Sequence, residues 1–136
     1  MAVDDDTEEA SENGTIITVI IADDHSIMRQ SLSHMLRNQP GFEVVAEAED
    51  GKQAVEYALQ LRPAVVLMEF SMPRLNGAAA IRRIKNEAPD IAVIGLTVYG
   101  DPSTEQNMLQ AGIRIFLTKN VQAKEFIAAI KQCARG

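Results

Sequence analysis

The chain has 136 residues, 46% of them hydrophobic, which suits one globular domain built around one core. Its single cysteine, Cys133, cannot form a disulfide within the chain, and no apolar run approaches the ~20 residues that a membrane-spanning helix needs. The net charge is −6, but the chain beyond residue 15 holds 13 acidic and 13 basic residues, and this neutrality argues against direct binding of nucleic acid.

The excess negative charge lies in residues 1–15, which contain six acidic residues and no basic one. A polar, charged segment without apolar periodicity is typical of disorder, so we predict a disordered acidic tail over 1–14 and one domain over 15–136. A solvated leader explains this tail more simply than an arm that binds a partner. The N-terminus does not resemble a signal peptide, and we expect a cytoplasmic protein without a membrane association.

Five apolar runs alternate with five amphipathic helical patterns along the chain. The predicted strands cover 16–22, 42–48, 64–69, 91–97 and 113–117, and the predicted helices begin near 26, 52, 78, 102 and 123. Prolines and glycines separate these segments, and Asp101 is predicted to cap the fourth helix ahead of Pro102. This alternation predicts an α/β fold with a parallel sheet covered by helices on both faces.

The charges within the strands indicate the strand order. The third and fourth strands are free of charge before Glu69, as expected of strands that are buried on both faces. The second strand contains Glu43 and Glu47, and the fifth contains Arg114, which is typical of edge strands. We therefore predict a doubly wound, flavodoxin-like (βα)5 fold with the strand order 2-1-3-4-5.

Polar residues follow the carboxyl ends of four predicted strands, where ligands bind in folds of this class. They are Asp23 and Asp24 after strand one, Glu69 at the end of strand three, Thr97 at the end of strand four and Lys119 after strand five. Clustered carboxylates favour a bound Mg²⁺ ion, and a hydroxyl and an ammonium are suitable donors to phosphoryl oxygens. The pattern predicts metal-assisted phosphoryl chemistry.

Each residue of this set also has an ordinary structural explanation. Asp23 and Asp24 could cap a helix, Thr97 is a common strand residue, and Lys119 could be a loop charge. Glu69 is less ordinary, because an unpaired carboxylate at the end of a buried strand is costly. The conjunction of four strand ends with four matching chemistries favours the functional interpretation.

The sequence resembles the receiver domains of bacterial two-component response regulators, and most closely the subfamily with a LuxR-type helix-turn-helix output domain. The resemblance covers about residues 15–136. The stretches that carry it are IIADDH at 20–25, VVLMEFSMPRLNG at 65–77, LT at 96–97 and FLTK at 116–119.

The resemblance implies a role for each matching residue. Asp23 and Asp24 would be the acidic metal-binding pair, assisted by the side chain at position 69 and by the backbone carbonyl of Ser71. Thr97 would be the switch hydroxyl that bonds the phosphoryl group, Lys119 would contact the same group, and Phe116 would be the aromatic that turns inward on activation.

Glu69 departs from the family, which has the phosphoacceptor aspartate at this position. The extra methylene lengthens the arm by roughly 1.5 Å, so we expect a receiver that is not phosphorylated there or that weakly mimics the phosphorylated state. Because the other site residues match the family, a recent or deliberate replacement of aspartate is slightly favoured. The alternative, a protein that naturally lacks the acceptor, stays open.

The predicted function is that of a signalling receiver, not an enzyme, from a transcription regulator truncated before its DNA-binding domain. The resemblance implies a sensor histidine kinase as partner, pairing in a homodimer through helix faces, and DNA binding only through an output domain absent from this chain. The alternatives are a Mg²⁺-dependent phosphatase-like enzyme and a phosphate-independent interaction module. A nucleotide-binding domain is remote, because no glycine-rich loop follows strand one.

Overall fold

The computed structural model describes residues 16–70, 72, 74–97, 102–119 and 121–135. The strands are β1 (Ile17–Ala22), β2 (Phe42–Ala48), β3 (Val65–Glu69), β4 (Ala92–Thr97) and β5 (Ile115–Thr118). The helices are α1 (Ser26–Arg37), α2 (Gly51–Leu61), α3 (Gly77–Glu87), α4 (Pro102–Ala111) and α5 (Ala123–Ala134). None of the helices in this part of the chain is long and apolar enough to cross a membrane.

The five strands form one parallel sheet with the order β2-β1-β3-β4-β5, which confirms the predicted topology. The order reverses between β1 and β3, so a crevice opens at the carboxyl ends of these two strands. β3 and β4 are buried along their whole length, because helices cover both faces of the central sheet.

Alternate residues of each strand contribute to two separate cores. On one face, Ile20, Val66 and Val93 pack with residues of α2, α3 and α4. On the other face, Ile21, Leu67 and Ile94 pack with residues of α1 and α5. The sheet is thus fixed from both sides, which holds the carboxyl ends of its strands in a defined arrangement.

β5 differs from its predicted range. Gly112 adopts a left-handed conformation with φ of 119°, and Ile113 still bonds back to Met108 at the end of α4, so the strand begins at Ile115 rather than at residue 113. Arg114 therefore precedes the strand. β5 is an edge strand, as predicted. The predicted reason was a charge within the strand, but β5 contains none, and its half-buried residues show its edge position instead.

The starts of two helices follow from their capping residues. Asp50 accepts a hydrogen bond from the backbone N–H of Gln53, and Asn76 accepts one from that of Ala79, so α2 and α3 each begin one residue before the predicted position. The predicted cap Asp101 and the predicted acidic tail lie outside the described residues.

We predict that the core on the α1 side carries much of the stability of the domain. Leu36→Ala removes a fully buried side chain of α1 and should lower the free energy of unfolding by about 2–5 kcal/mol. Ile27→Ala, at a position 79% exposed in the same helix, should change it by less than about 0.5 kcal/mol. Urea denaturation measures both, and equal losses would contradict the assigned packing of α1.

Candidate functional site

The polar residues predicted at the strand ends lie together in the crevice. Asp23 follows β1, Glu69 ends β3, and Lys119 directly follows β5. The Lys119 Nζ atom lies 2.5 Å from Asp23 Oδ2 and also forms an ion pair with Glu69 Oε1. One ammonium group therefore bridges carboxylates from two neighbouring strands.

This ion-pair cluster is shielded from solvent. The side chains of Lys119, Asp23 and Glu69 are 3%, 0% and 7% exposed. Burial lowers the pKa of Lys119, but its hydrogen bonds to Asp23 and Glu69 outweigh this effect, and the net result is a raised pKa. The stabilisation from charged Lys119 is therefore complete below its ordinary pKa of 10.5 and is lost only as the pH rises through the higher folded-state value.

Both oxygens of Glu69 have donors in this arrangement. Oε1 is paired with Lys119, and Oε2 accepts a hydrogen bond from the backbone N–H of Phe70 at 3.0 Å. Because each oxygen is engaged, the longer glutamate side chain is accommodated as a buried carboxylate without an uncompensated charge.

Asp23 and Asp24 differ in their surroundings. Asp23 is fully buried, and its Oδ1 accepts the backbone N–H of His25 at 2.9 Å, whereas the Asp24 side chain is 32% exposed. The Nδ1 atom of His25 lies 3.3 Å from Oδ1 of both aspartates, and the His25 side chain is 68% exposed. His25 therefore contacts the acidic pair although most of its side chain faces solvent.

The donor set is compatible with a divalent cation. Each of three residues offers one donor atom, and these atoms lie within 4.8 Å of one another: Asp23, Asp24 and His25. Among the described residues, this is the group whose spacing suits metal ligands. Carboxylate oxygens suit Mg²⁺, and Glu69 adds a third carboxylate across the crevice. Both oxygens of Asp23 already have donors, since Oδ2 accepts from Lys119 and Oδ1 accepts the backbone N–H of His25. Ser71, predicted to contribute its carbonyl, lies outside the described residues.

Gly77 closes the loop that follows Glu69. Its backbone N–H donates to the carbonyl oxygen of Phe70 at 2.8 Å, and a Cβ atom at this position would lie 2.8 Å from the Cα of Phe70. Only glycine permits so close an approach, so the start of α3 packs directly against the end of β3. A hydrophobic pattern does not reveal this contact, because it involves two backbone segments and no side chain.

The predicted switch residues lie on the β4–β5 side of the crevice. Thr97 is 9% exposed, and its carbonyl oxygen accepts the backbone N–H of Lys119 at 2.7 Å, which ties the lysine to the end of β4. The ring of Phe116 is partly buried against the core under α2, α3 and α4, where it lies beside Gly95 of β4. The fold thus brings Asp23, Asp24, Glu69, Thr97 and Lys119 to one end of the sheet, and Phe116 lies on β5 just before Lys119.

Comparisons with known proteins identify the same type of domain. The family model described as "Response regulator receiver domain" matches residues 19–131. The chain is 37% identical to the transcriptional regulatory protein DegU of Brevibacillus brevis over 129 residues, which are 95% of this chain and 54% of that protein. It therefore spans about half the length of this relative.

Solved structures agree with the family match. The signal receiver domain of the response regulator NarL from Mycobacterium tuberculosis superposes with a TM-score of 0.86 at 28% identity, covering 90% of this chain and 98% of that one. A two-component response regulator of the LuxR family from Aurantimonas gives a TM-score of 0.84 at 25% identity, covering 90% of this chain and 87% of that one.

We predict that Lys119 is required for the stability of the site. In EDTA, Lys119→Met should cost about 3–5 kcal/mol, because it leaves two neighbouring buried carboxylates without their cation. Lys124→Met, at an exposed position of α5, should have little effect. Adding Glu69→Gln to Lys119→Met should recover part of the loss in urea denaturation. Equal effects of the two lysine substitutions would contradict the assigned ion pairs.

Proposed function

The chain belongs to the response regulator receiver domain family, and we propose that Glu69 makes it a receiver that is not phosphorylated at this position and is weakly biased towards the active state. The observation that carries this proposal is the buried Glu69 carboxylate, which shares Lys119 with Asp23 at the end of β3. Position 69 therefore carries the negative charge of an aspartate acceptor on a side chain that is one methylene longer.

Phosphorylation of a carboxylate requires its oxygen to lie in line with the donor and beside the groups that neutralise the phosphoryl charge. The additional methylene of Glu69 moves this oxygen by up to roughly 1.5 Å relative to aspartate. A misplacement of about 1 Å can lower a rate on the order of a hundredfold. Thr97 and Lys119 are held by strand ends that cannot shift freely to compensate.

The same length supports a partial mimicry of phosphorylation. The Glu69 carboxylate reaches towards the region where phosphoryl oxygens would lie in an aspartate version, and it already engages Lys119. A carboxylate has two oxygens and one negative charge, whereas a phosphoryl group has three oxygens and nearly two charges. Any bias towards the active state is therefore weak.

Asp23, Asp24 and Glu69, together with the backbone carbonyl of Ser71, would hold a Mg²⁺ ion in this proposal. The ion would supply neutralisation of the charge that develops in phosphoryl transfer. Asp23 is prepared for this role because hydrogen bonds fix its backbone and orient both of its side-chain oxygens, while Asp24 is partly exposed.

We infer a signalling switch rather than a phosphatase-like enzyme. A hydrolase with these carboxylates would need a further acid or base that is held towards the substrate. His25 contacts the acidic pair, but its side chain is 68% exposed and stands at the start of α1. If the aspartate version is not phosphorylated, the alternative function of a phosphate-independent interaction module is favoured instead.

The partners follow from the family. A sensor histidine kinase would donate the phosphoryl group to an aspartate version, and DNA would be bound by an output domain outside this chain. DegU is a transcriptional regulatory protein, and the part of it beyond this match leaves room for such a domain. We propose that the chain acts in the cytoplasm. We also expect it to form a homodimer through its helix faces.

We predict that restoring aspartate restores phosphorylation. With Mg²⁺ and a small phosphodonor, Glu69→Asp should gain the mass of one phosphoryl group, because the shorter side chain brings its oxygen into line. The unsubstituted chain, the exposed control Glu56→Asp and Glu69→Asp in EDTA should gain none. Intact mass spectrometry measures the result, and failure of Glu69→Asp to gain mass would exclude a working receiver site. The same samples should not hydrolyse a generic phosphoester.

We also predict that Glu69 shifts the switch residues partway. In NMR spectra, the resonances of Thr97 and Phe116 in this chain should lie between those of unphosphorylated and phosphorylated Glu69→Asp, and nearer the former. The carboxylate reproduces only part of the phosphoryl contacts, so a complete shift is not expected. Resonances that coincide with unphosphorylated Glu69→Asp would identify a silenced receiver without mimicry.

A further inference from the structure

Arg29 contacts the acidic pair through the backbone rather than through its carboxylates. Its Nη1 atom donates to the main-chain carbonyl oxygen of Asp23 at 2.7 Å, and its Nε atom lies 3.4 Å from Glu47 Oε1. The Arg29 side chain is only 12% exposed. The guanidinium group therefore connects the residue after β1 with the carboxyl end of β2.

The carbonyl that Arg29 holds belongs to the peptide between Asp23 and Asp24. A peptide unit is planar, so fixing this oxygen also fixes the direction of the Asp24 N–H and the position of the Asp24 Cα. On the other side, the backbone N–H of Asp23 donates to the carbonyl oxygen of Ala48 at 3.0 Å. The backbone is thus held on both sides of Asp23, and the spacing of the two carboxylates depends on these bonds.

The position of Arg29 in α1 explains why it reaches this oxygen. Side chains of a helix lean towards its N-terminus, so a long side chain in the first turns of α1 extends back over the segment that precedes the helix. The planar guanidinium offers several donors in fixed directions and can serve Asp23 and Glu47 together. A lysine could supply the charge, but all its donors lie on one nitrogen, whereas Arg29 uses two separate nitrogens for the two contacts.

We propose that Arg29 is a positioning residue that sets the orientation of the Asp23–Asp24 peptide and thereby the affinity of the acidic pair for a divalent cation. The proposal rests on the metal site of the proposed function. It differs from a simple charge effect, because a nearby positive charge repels a cation, so loss of the charge alone would tighten binding. Loss of the positioning contact weakens binding instead.

The test compares Arg29→Gln and Arg29→Lys with Arg37→Gln. Arg37 pairs with the same Glu47 at 3.7 Å, which makes it a matched control that removes an arginine contact to Glu47 and leaves the Asp23 carbonyl bonded. By calorimetric titration with Mg²⁺, both Arg29 variants should bind roughly tenfold more weakly, and Arg37→Gln should bind as the unsubstituted chain does. Unchanged or tighter binding by Arg29→Gln overturns the proposal, as does an equal loss in Arg37→Gln.

A second measurement works without metal. The order parameter of the Asp24 amide, measured by ¹⁵N relaxation in EDTA, should fall in both Arg29 variants and stay unchanged in Arg37→Gln. If the unsubstituted chain binds no Mg²⁺, the metal site of the proposed function fails, and this order parameter alone decides whether Arg29 fixes the peptide.

If Arg29→Gln does not fold, Glu47→Gln provides a second test, because it weakens the other contact of the guanidinium. Its loss of Mg²⁺ affinity should be smaller than that of Arg29→Lys. The proposal is overturned if both Glu47→Gln and Arg29→Lys bind Mg²⁺ as tightly as the unsubstituted chain.

Discussion

The ammonium group of Lys119 lies between the carboxylates of Asp23 and Glu69, and the arrangement of the crevice depends on this contact. Two carboxylates this close would repel each other, because charges in a buried site are screened less than charges at the surface. The lysine removes this repulsion and joins the ends of three strands that are far apart in the sequence. In the part of the chain that the structure describes, every buried side-chain nitrogen and oxygen has a hydrogen-bond partner, so this polar cluster is compensated.

The apolar sheet makes the ion-pair cluster rigid. β1, β3 and β4 are packed from both faces, and their ends cannot move separately without disturbing one of the two cores. The backbone adds local constraints at the same end of the sheet, because Gly77 brings α3 against the end of β3 and the Thr97 carbonyl bonds the Lys119 amide. The charged residues therefore occupy fixed positions at the carboxyl ends of the strands, so the geometry of the crevice is set by the packing of the sheet.

Much of this arrangement was predictable from the sequence, since hydrophobic periodicity and strand composition gave the five strands, their order and the strand ends that carry Asp23, Glu69 and Lys119. The predicted start of β5 was wrong, because a hydrophobic pattern does not reveal the turn at Gly112 or the hydrogen bond from the Ile113 amide to the Met108 carbonyl. Arg29 was missed for a related reason. Its partner is a main-chain oxygen six residues earlier, and no side-chain pattern identifies backbone acceptors. The pairing of Lys119 with both carboxylates also needed coordinates, because the sequence predicts proximity and not which atoms meet.

Glutamate and aspartate carry the same charge, so Glu69 differs from an aspartate acceptor only in geometry. Lys119 pairs with two carboxylates of the crevice, and these charges would be the same with aspartate at position 69, so the proposed site for a divalent cation does not depend on the length of this side chain. What changes is where the carboxylate oxygens lie relative to Lys119 and Thr97. One oxygen of the buried Glu69 pairs with Lys119 and the other accepts the Phe70 amide, and in the proposed function this arrangement does not place either oxygen for in-line attack. In the proposed function, any effect of Glu69 on the switch arises from the position of an existing charge and not from an added one, so its mimicry of a dianionic phosphoryl group is limited.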